Sequence, residues 1–514
     1  MSRSAFGTLA LLLLWPCTVL GQVTTAQYDN ARTSAYTTEA QLTPRSVNPA
    51  SFGKIHVIHV DGDVYAQVLY LPSVNIPSKG THAVIYVATE HNSVYAFDAP
   101  APAEPLWHVD LSAVAEGAKP VPASDVRCPF IRPQVGITST PVIDTTTGTL
   151  YVLARTKEHG QYVQRLHALD VATGAPRHGA VQIRASARGT GAGSAGGIVR
   201  FDPLRENPRA ALLLTGGHVI IGWASSCDVG PYHGWIMAYD ARTLALVAVL
   251  NTTPDGNDGG IWQGDAGLAA DRQGRIYAVT GNGTFSAGTS QHLDFGDTVL
   301  QLTLGTHGFV VSDYFTPGNE KTLEETDGDL GSGGPLLLPD HFLFVGGKDG
   351  SVYLIDRDRM GKFDPAANRG AVQTMKAPGL VMGASAYWNG HVYSLWSDDV
   401  VKEFAFANGK LSTAPVSKGT HVFTDPGATP TISANGTTDG IVWVVETRTW
   451  NGADRRAILH AFDAADVGNE LYSSESNAAR DRAGTALRFA MPTVAAGRVY
   501  VGTKGEVDVY GILP

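Results

Sequence analysis

Five short segments in the middle of the chain carry residues that could do chemistry. Cys227-Asp228-Val-Gly-Pro-Tyr-His-Gly234 places a carboxylate in a Gly-rich loop. Trp262 follows Gly259-Gly-Ile261, and Asn282 sits in Thr280-Gly-Asn-Gly283. Asp327-Gly-Asp329-Leu-Gly331 offers two carboxylates, and Lys348-Asp-Gly350 closes the series. Carboxylate and amide oxygens suit a hard cation. A carboxylate can also take a proton, and an ammonium group can stabilise developing negative charge. Taken singly, each Asp reads as readily as a solvated or turn-capping residue.

The elements that must position these residues repeat along the chain. Each copy is a strand rich in β-branched residues, a polar turn, and a second strand ending near Asp. Val84-Ile-Tyr-Val-Ala-Thr89 with Val94-Tyr-Ala-Phe-Asp98 is one copy, and His218-Val-Ile-Ile-Gly222 with Ile236-Met-Ala-Tyr-Asp240 is another. Phe342-Leu-Phe-Val-Gly346 with Val352-Tyr-Leu-Ile-Asp356, and Ile441-Val-Trp-Val-Val445 with Leu459-His-Ala-Phe-Asp463, follow the same plan. About eight copies occur, within the range of propeller blade numbers. Period-two alternation predicts half-buried antiparallel strands. A small-residue motif precedes most copies, as in Thr138-Ser-Thr-Pro-Val142, Gly331-Ser-Gly-Gly-Pro-Leu336 and Ala490-Met-Pro-Thr-Val494. Small residues suit innermost strands converging on a narrow channel, which their hydroxyls would line. The expected fold is therefore all-β: one eight-bladed β-propeller of four-stranded antiparallel blades, closed by pairing near its two ends. A β-sandwich pair or a β-solenoid is the competing architecture.

The 514 residues are 43% hydrophobic and 17% charged, with 58 Gly and 28 Pro, which suits many short strands joined by turns. A net charge of -10, without blocks of like charge, argues against a nucleic-acid partner. Residues 1–21 read as a secretory signal, with Arg3, the apolar run Leu9–Leu14 and a cut before Gln22. This predicts a secreted or periplasmic protein whose propeller spans 22–514. The apolar run is too short to span a bilayer, and no later segment reads as transmembrane. Cys17 follows Pro16, a poor fit to a lipoprotein signal. Cys128 and Cys227 remain after cleavage, and either a disulfide or two separate buried thiols is open, since geometry decides. His218, His233, His292 and His391 fall at no metal-ligand spacing, which argues against zinc. His233 reads as a hydrogen-bonded turn residue. Asn251, Asn282 and Asn435 each begin a glycosylation sequon. No nucleophile elbow, phosphate loop or dinucleotide fingerprint is present.

The repeat, with Ala168-Leu-Asp170-Val-Ala-Thr173-Gly174, and the order of the five segments resemble the quinoprotein alcohol dehydrogenase family. The resemblance covers nearly the whole mature chain. It implies an eight-bladed propeller holding pyrroloquinoline quinone and Ca2+. It implies Asp228 and Asn282 as calcium ligands, Trp262 as the ring stacked under the quinone, and Lys348 as a quinone contact. Asp329 would be the catalytic base, with Asp327 as the next candidate. Two features depart from the family. Gly328 stands where the family has Trp before the base, and Cys128 alone stands where the family has two adjacent cysteines over the cofactor. No Cys-x-x-Cys-His haem motif occurs, so the electron acceptor is expected to be a separate molecule. The activity implied is oxidation of a small alcohol or sugar-type substrate at the channel mouth. The alternatives are a binding or scaffold propeller that has lost the cofactor and engages a protein partner, similar to those assisting outer-membrane protein assembly, or a lyase or hydrolase using the same channel.

Overall fold

The computed structural model describes residues 21–264, 266–288, 293–447 and 455–514. Residues 1–20 of the expected signal, and His292, lie outside them. Eight antiparallel sheets form the blades of a propeller. The first blade is Leu69–Ile76, Gly80–Ala88, Ser93–Asp98 and Pro105–Asp110, paired in sequence order. The same meander recurs around the ring. No helix among the described residues is long and apolar enough to cross a membrane.

The ring closes between its two ends, as expected. Strand Phe52–His59 pairs antiparallel with Glu506–Ile512 and becomes the outermost strand of the eighth blade. Upstream, residues 23–36 thread past the inner strands of successive blades. Thr24, Asn30, Ala31, Thr33 and Ser34 each offer a carbonyl, to the amides of Ile143, Ala270, Leu337, Tyr387 and Ile432. Arg32 is fully buried there, donating to the carbonyls of Leu268 and Ala26. One segment thus satisfies inner-strand groups that would otherwise face the channel.

The middle strands depart from the half-buried pattern. Trp235–Asp240 is buried on both faces, because each blade is covered by a neighbour on either side. Trp235, Met237 and Tyr239 pack against Tyr151, Leu153 and Leu166 of the second blade. The intervening Ile236 and Ala238 pack against Leu268, Ile276 and Leu300 of the fourth. Period two survives, but it sorts residues between two cores rather than between core and water. Each fully buried Leu or Ile contributes about 1.5–3 kcal/mol, so neighbouring blades hold one another largely by apolar contact.

Polar groups add a repeated tie. Tyr86, Tyr151 and Tyr393 each donate their hydroxyl to the carbonyl just after the motif Asp of the next blade, Val171, Ala241 and Ala464, at 3.1, 2.7 and 2.8 Å. The small-residue hydroxyls differ from expectation. Thr138 and Thr140 line a small cavity beside the channel. Thr431 and Thr493 instead donate to backbone carbonyls of the next blade, Pro492 and Val68, and Thr429 accepts from the Ala384 amide. A buried hydroxyl bonds the nearest backbone, and beside a packed channel that backbone belongs to the adjoining blade.

Candidate active site

A cleft of about 890 Å³, open mouth included, is lined by residues that lead into or out of the blade strands. Asp228, Trp262, Asp329, Lys348 and Cys128 all line it. Asn282 abuts it through Asp329, and Asp327 stands at its rim.

Asp329 is the most constrained of these. Its side chain is 3% exposed. Oδ1 accepts the backbone N–H of Asn282 at 2.7 Å, and Oδ2 meets Lys348 Nζ at 2.5 Å. The Lys348 amide donates to the Asp329 carbonyl at 3.0 Å, so the hairpin after Gly346 holds both ends of the pair. Gly281 makes the approach sterically feasible: a Cβ there would stand 2.3 Å from Asp329 Oδ1 and 2.7 Å from the Trp262 ring. Burial pushes the Asp329 carboxyl up to about 6, with Lys348 opposing that rise. Asp327 is 64% exposed and takes the same ammonium at 2.8 Å.

Gly328, where the resemblance leads one to expect Trp, is explained by a short helix just before it. Residues Glu320–Thr326 form it, and a Cβ on Gly328 would meet Leu323 at 2.8 Å. Leu323 therefore leaves no room for a side chain there.

Asp228 lies in the loop before strand Trp235–Asp240. Cys227 and Asp228 both have positive φ, 55° and 51°, which is uncommon for consecutive residues other than Gly. Cys227 is fixed by a disulfide to Cys128, 99 residues away. This decides between the two open readings of the cysteines and puts a second cysteine over the cleft. The Tyr232 hydroxyl donates to Asp228 Oδ1 at 2.8 Å, and its ring meets Trp262 edge-on at 6.2 Å. Burial raises the Asp228 carboxyl, while Tyr232 and the charge of Lys348 lower it.

The buried polar atoms at the site that lack a protein partner include Asn282 Oδ1, Trp262 Nε1 and Ser225 Oγ. Unpaired buried polar atoms are rare, and each calls for an explanation. An amide oxygen left bare beside a carboxylate matches the donor set of a hard cation. Asp228, Asp327 and Asp329 do not form a cluster tight enough to share one ion among themselves. Lys348 already supplies the positive charge between the last two. A calcium ion would therefore draw on Asn282 Oδ1 and Asp228 rather than on all three carboxylates.

The cleft also contains residues that the sequence reading missed. Arg209 and Arg488 both lie over Phe489, their guanidinium carbons 4.5 and 4.9 Å from its ring centre. Arg488 also lies 5.1 Å from the ring of Phe130. Val126, Phe130 and Ile131 join the disulfide as apolar cover. Arg209 and Arg488 fall just before inner strands, beside the small-residue motif. Their place in the repeat was the available signal. Two buried carboxylates were also missed. Glu206 accepts from the His233 amide and Trp235 Nε1, and Asp297 accepts from the Leu330 amide. Burial raises both.

His233 is buried and hydrogen-bonded to Thr253 and the Ala192 carbonyl, as its turn reading expected. His391 pairs with Glu403 at 2.8 Å. Of the sequons, Asn251 is buried with Oδ1 bonded to the Thr253 amide, whereas Asn435 is exposed.

No protein-family model matches the chain, and no curated protein does. Solved structures match in shape. The europium-containing methanol dehydrogenase aligns with a TM-score of 0.60 at 14% identity, covering 96% of this chain and 98% of that one. Quinohemoprotein alcohol dehydrogenase ADHIIG from Pseudomonas putida HK5 gives 0.57 at 14%, covering 96% and 80%. This chain has their fold. BamB from Moraxella catarrhalis shares it too, at 0.50 and 15% identity, covering 90% and 99%. The quinoprotein-like propeller is thus established as architecture, and chemistry must be argued from the cleft.

Proposed function

We propose that this protein is a secreted or periplasmic oxidoreductase that binds pyrroloquinoline quinone and Ca2+ and oxidises an alcohol or sugar-type substrate at the channel mouth. The observation that carries this reading is convergence. Asp228, Trp262, Asp329 and Lys348 come from four separate loops yet line one cleft, beside buried polar atoms without protein partners. The alcohol and methanol dehydrogenases that share the fold support the same direction.

The residues fit a flat polyanionic cofactor. Trp262 offers an aromatic surface, the Cys128–Cys227 bridge and Phe130 offer apolar cover, and Arg209, Arg488 and Lys348 offer positive charge. Asp228 and Asn282 Oδ1 would hold calcium. A bound quinone would supply a hydride acceptor, and a bound calcium a Lewis acid beside it. Asp329 takes the hydroxyl proton on its carboxylate, which burial has tuned toward neutral pH. Lys348 keeps that carboxylate ionised and lends positive charge to the reacting region. Asp327, sharing Lys348 at the exposed rim, is the next candidate for the base. Turnover would need a separate electron acceptor. A scaffold propeller would have no need of a buried Asp–Lys pair beside unpartnered polar atoms.

Reconstitution tests this reading. Protein loaded with pyrroloquinoline quinone and calcium should reduce an artificial dye when given an alcohol or sugar. Asp329→Asn should keep the cofactor and lose turnover. Absence of cofactor binding with every metal tried would overturn the reading.

A further inference from the structure

A second polar cluster lies away from the cleft, between the connector that follows the sixth blade and the strands of the seventh. His421 Nε2 stands 3.1 Å from Glu446 Oε2, and His460 Nε2 stands 3.3 Å from the same oxygen. The three donor atoms all lie within 4.8 Å of one another. Strand register creates the pair within the blade. Glu446 is opposite Ile458 and His460 is opposite Val444, so Glu446 and His460 are diagonal neighbours on one face. His421 reaches them from the connector.

We propose that His421, Glu446 and His460 form a binding site for a first-row divalent transition metal, zinc by ligand preference. Three features carry the assignment. First, two imidazoles converge on one carboxylate oxygen at the separation that metal ligation requires. Tetrahedral zinc with bonds of about 2.0–2.2 Å sets its ligand atoms about 3.3–3.5 Å apart. Second, His460 has the outer support typical of a metal-bound histidine. Its Nδ1 lies 2.7 Å from Glu470 Oε1, so that an Nδ1–H donates to this carboxylate and the Nε2 lone pair is left for a cation. Third, the rings are held in place. Phe423, buried, packs edge-on against both imidazoles, with centroids 4.7 and 5.1 Å away. His460 and Glu446 are buried, whereas His421 is one-third exposed, which leaves an approach for the ion and for a solvent ligand at the fourth position.

The histidine spacings considered along the chain did not include this set. Its members are 25 and 14 residues apart, and only the blade brings them together. The connector that carries His421 also carries Asp425, which pairs with Arg488 of the cleft at 3.4 Å.

The experiment is a titration of metal-free, full-length protein with zinc chloride in competition with a chromophoric chelator. The expected result is uptake of one zinc per chain that excess calcium does not displace. His421→Ala, at a partly exposed connector position, should lose that uptake while keeping the wild-type circular dichroism spectrum. Glu470→Gln should weaken it by about 10–100-fold. Cobalt(II) should give the intense visible bands of four-coordinate cobalt in the wild type and not in His421→Ala. Absence of zinc uptake, or unchanged uptake and cobalt spectrum in His421→Ala, would show a plain imidazole–carboxylate network and overturn the proposal.

Discussion

The two ends of a single strand use aspartate in opposite ways. Trp235–Asp240 ends in Asp240, which accepts from the amides of Arg242 and Thr243 and from the Thr243 hydroxyl. Those bonds, the Thr243 hydroxyl first, hold its carboxyl below the usual range. Asp170 ends its strand with the same turn. The other end of the strand begins after the loop carrying Asp228, where burial raises the carboxyl. Asp329 is on that side too, buried, paired with Lys348 and pushed to about 6. The difference teaches where this propeller keeps its options. Turn aspartates satisfy themselves locally and are finished as structure. Cleft aspartates are buried instead, Asp228 under its loop neighbour Tyr232 and Asp329 against Asn282 and Lys348, and burial raises both carboxyls.

That contrast can be broken by substitution, and the largest effect is expected at Asp329. Asp329→Asn should lower turnover of the quinone-loaded protein by about 10²–10⁴-fold, the usual worth of a positioned base. Steady-state rates on matched cofactor occupancy measure it. Next comes the cover of the cleft. Replacing Cys128 and Cys227 together by Ser should cost about 2–4 kcal/mol of stability, because the bridge closes a long loop. Denaturant unfolding of the two proteins checks this.

A subtler effect is expected in the pH profile. Asp329 must be ionised to accept a proton, so the rate should fall as pH drops through about 6. Lys348 lowers the Asp329 carboxyl, so Lys348→Met should move that acid limb to higher pH. A limb that stays in place would separate Asp329 from the titration. The smallest effect belongs to the turn. Asp240→Ala should cost about 1 kcal/mol through lost hydrogen bonds and leave the acid limb unchanged. If Asp240→Ala moved the limb, the division between the two ends would fail.

Much of this arrangement was legible in the sequence. The strand–turn–strand unit ending in Asp gives the blades, because its hydrophobic period is local. The order of Asp228, Trp262, Asn282, Asp329 and Lys348 anticipates one cleft, because a propeller returns equivalent loops to the same end. What was not legible depends on distances across blades. The Cys128–Cys227 bridge joins residues 99 apart, and no local pattern announces it. Arg209 and Arg488 stand beside the small-residue motif, but their meeting around Phe489 is set across blades. Leu323 fills the space beside Gly328 through a helix of seven residues, too short to show a helical period. The middle strands hide their second buried face for the same reason, since neighbours on both sides supply it.

Equilibrium binding of pyrroloquinoline quinone in the presence of calcium tests the central claim most directly. Quenching of tryptophan emission on adding quinone should saturate at one quinone per chain. The Arg209→Ala, Arg488→Ala double variant should weaken binding, and Trp262→Leu should remove most of the quenching. Absence of saturable binding by the wild-type chain, with calcium or any other metal, would contradict the account.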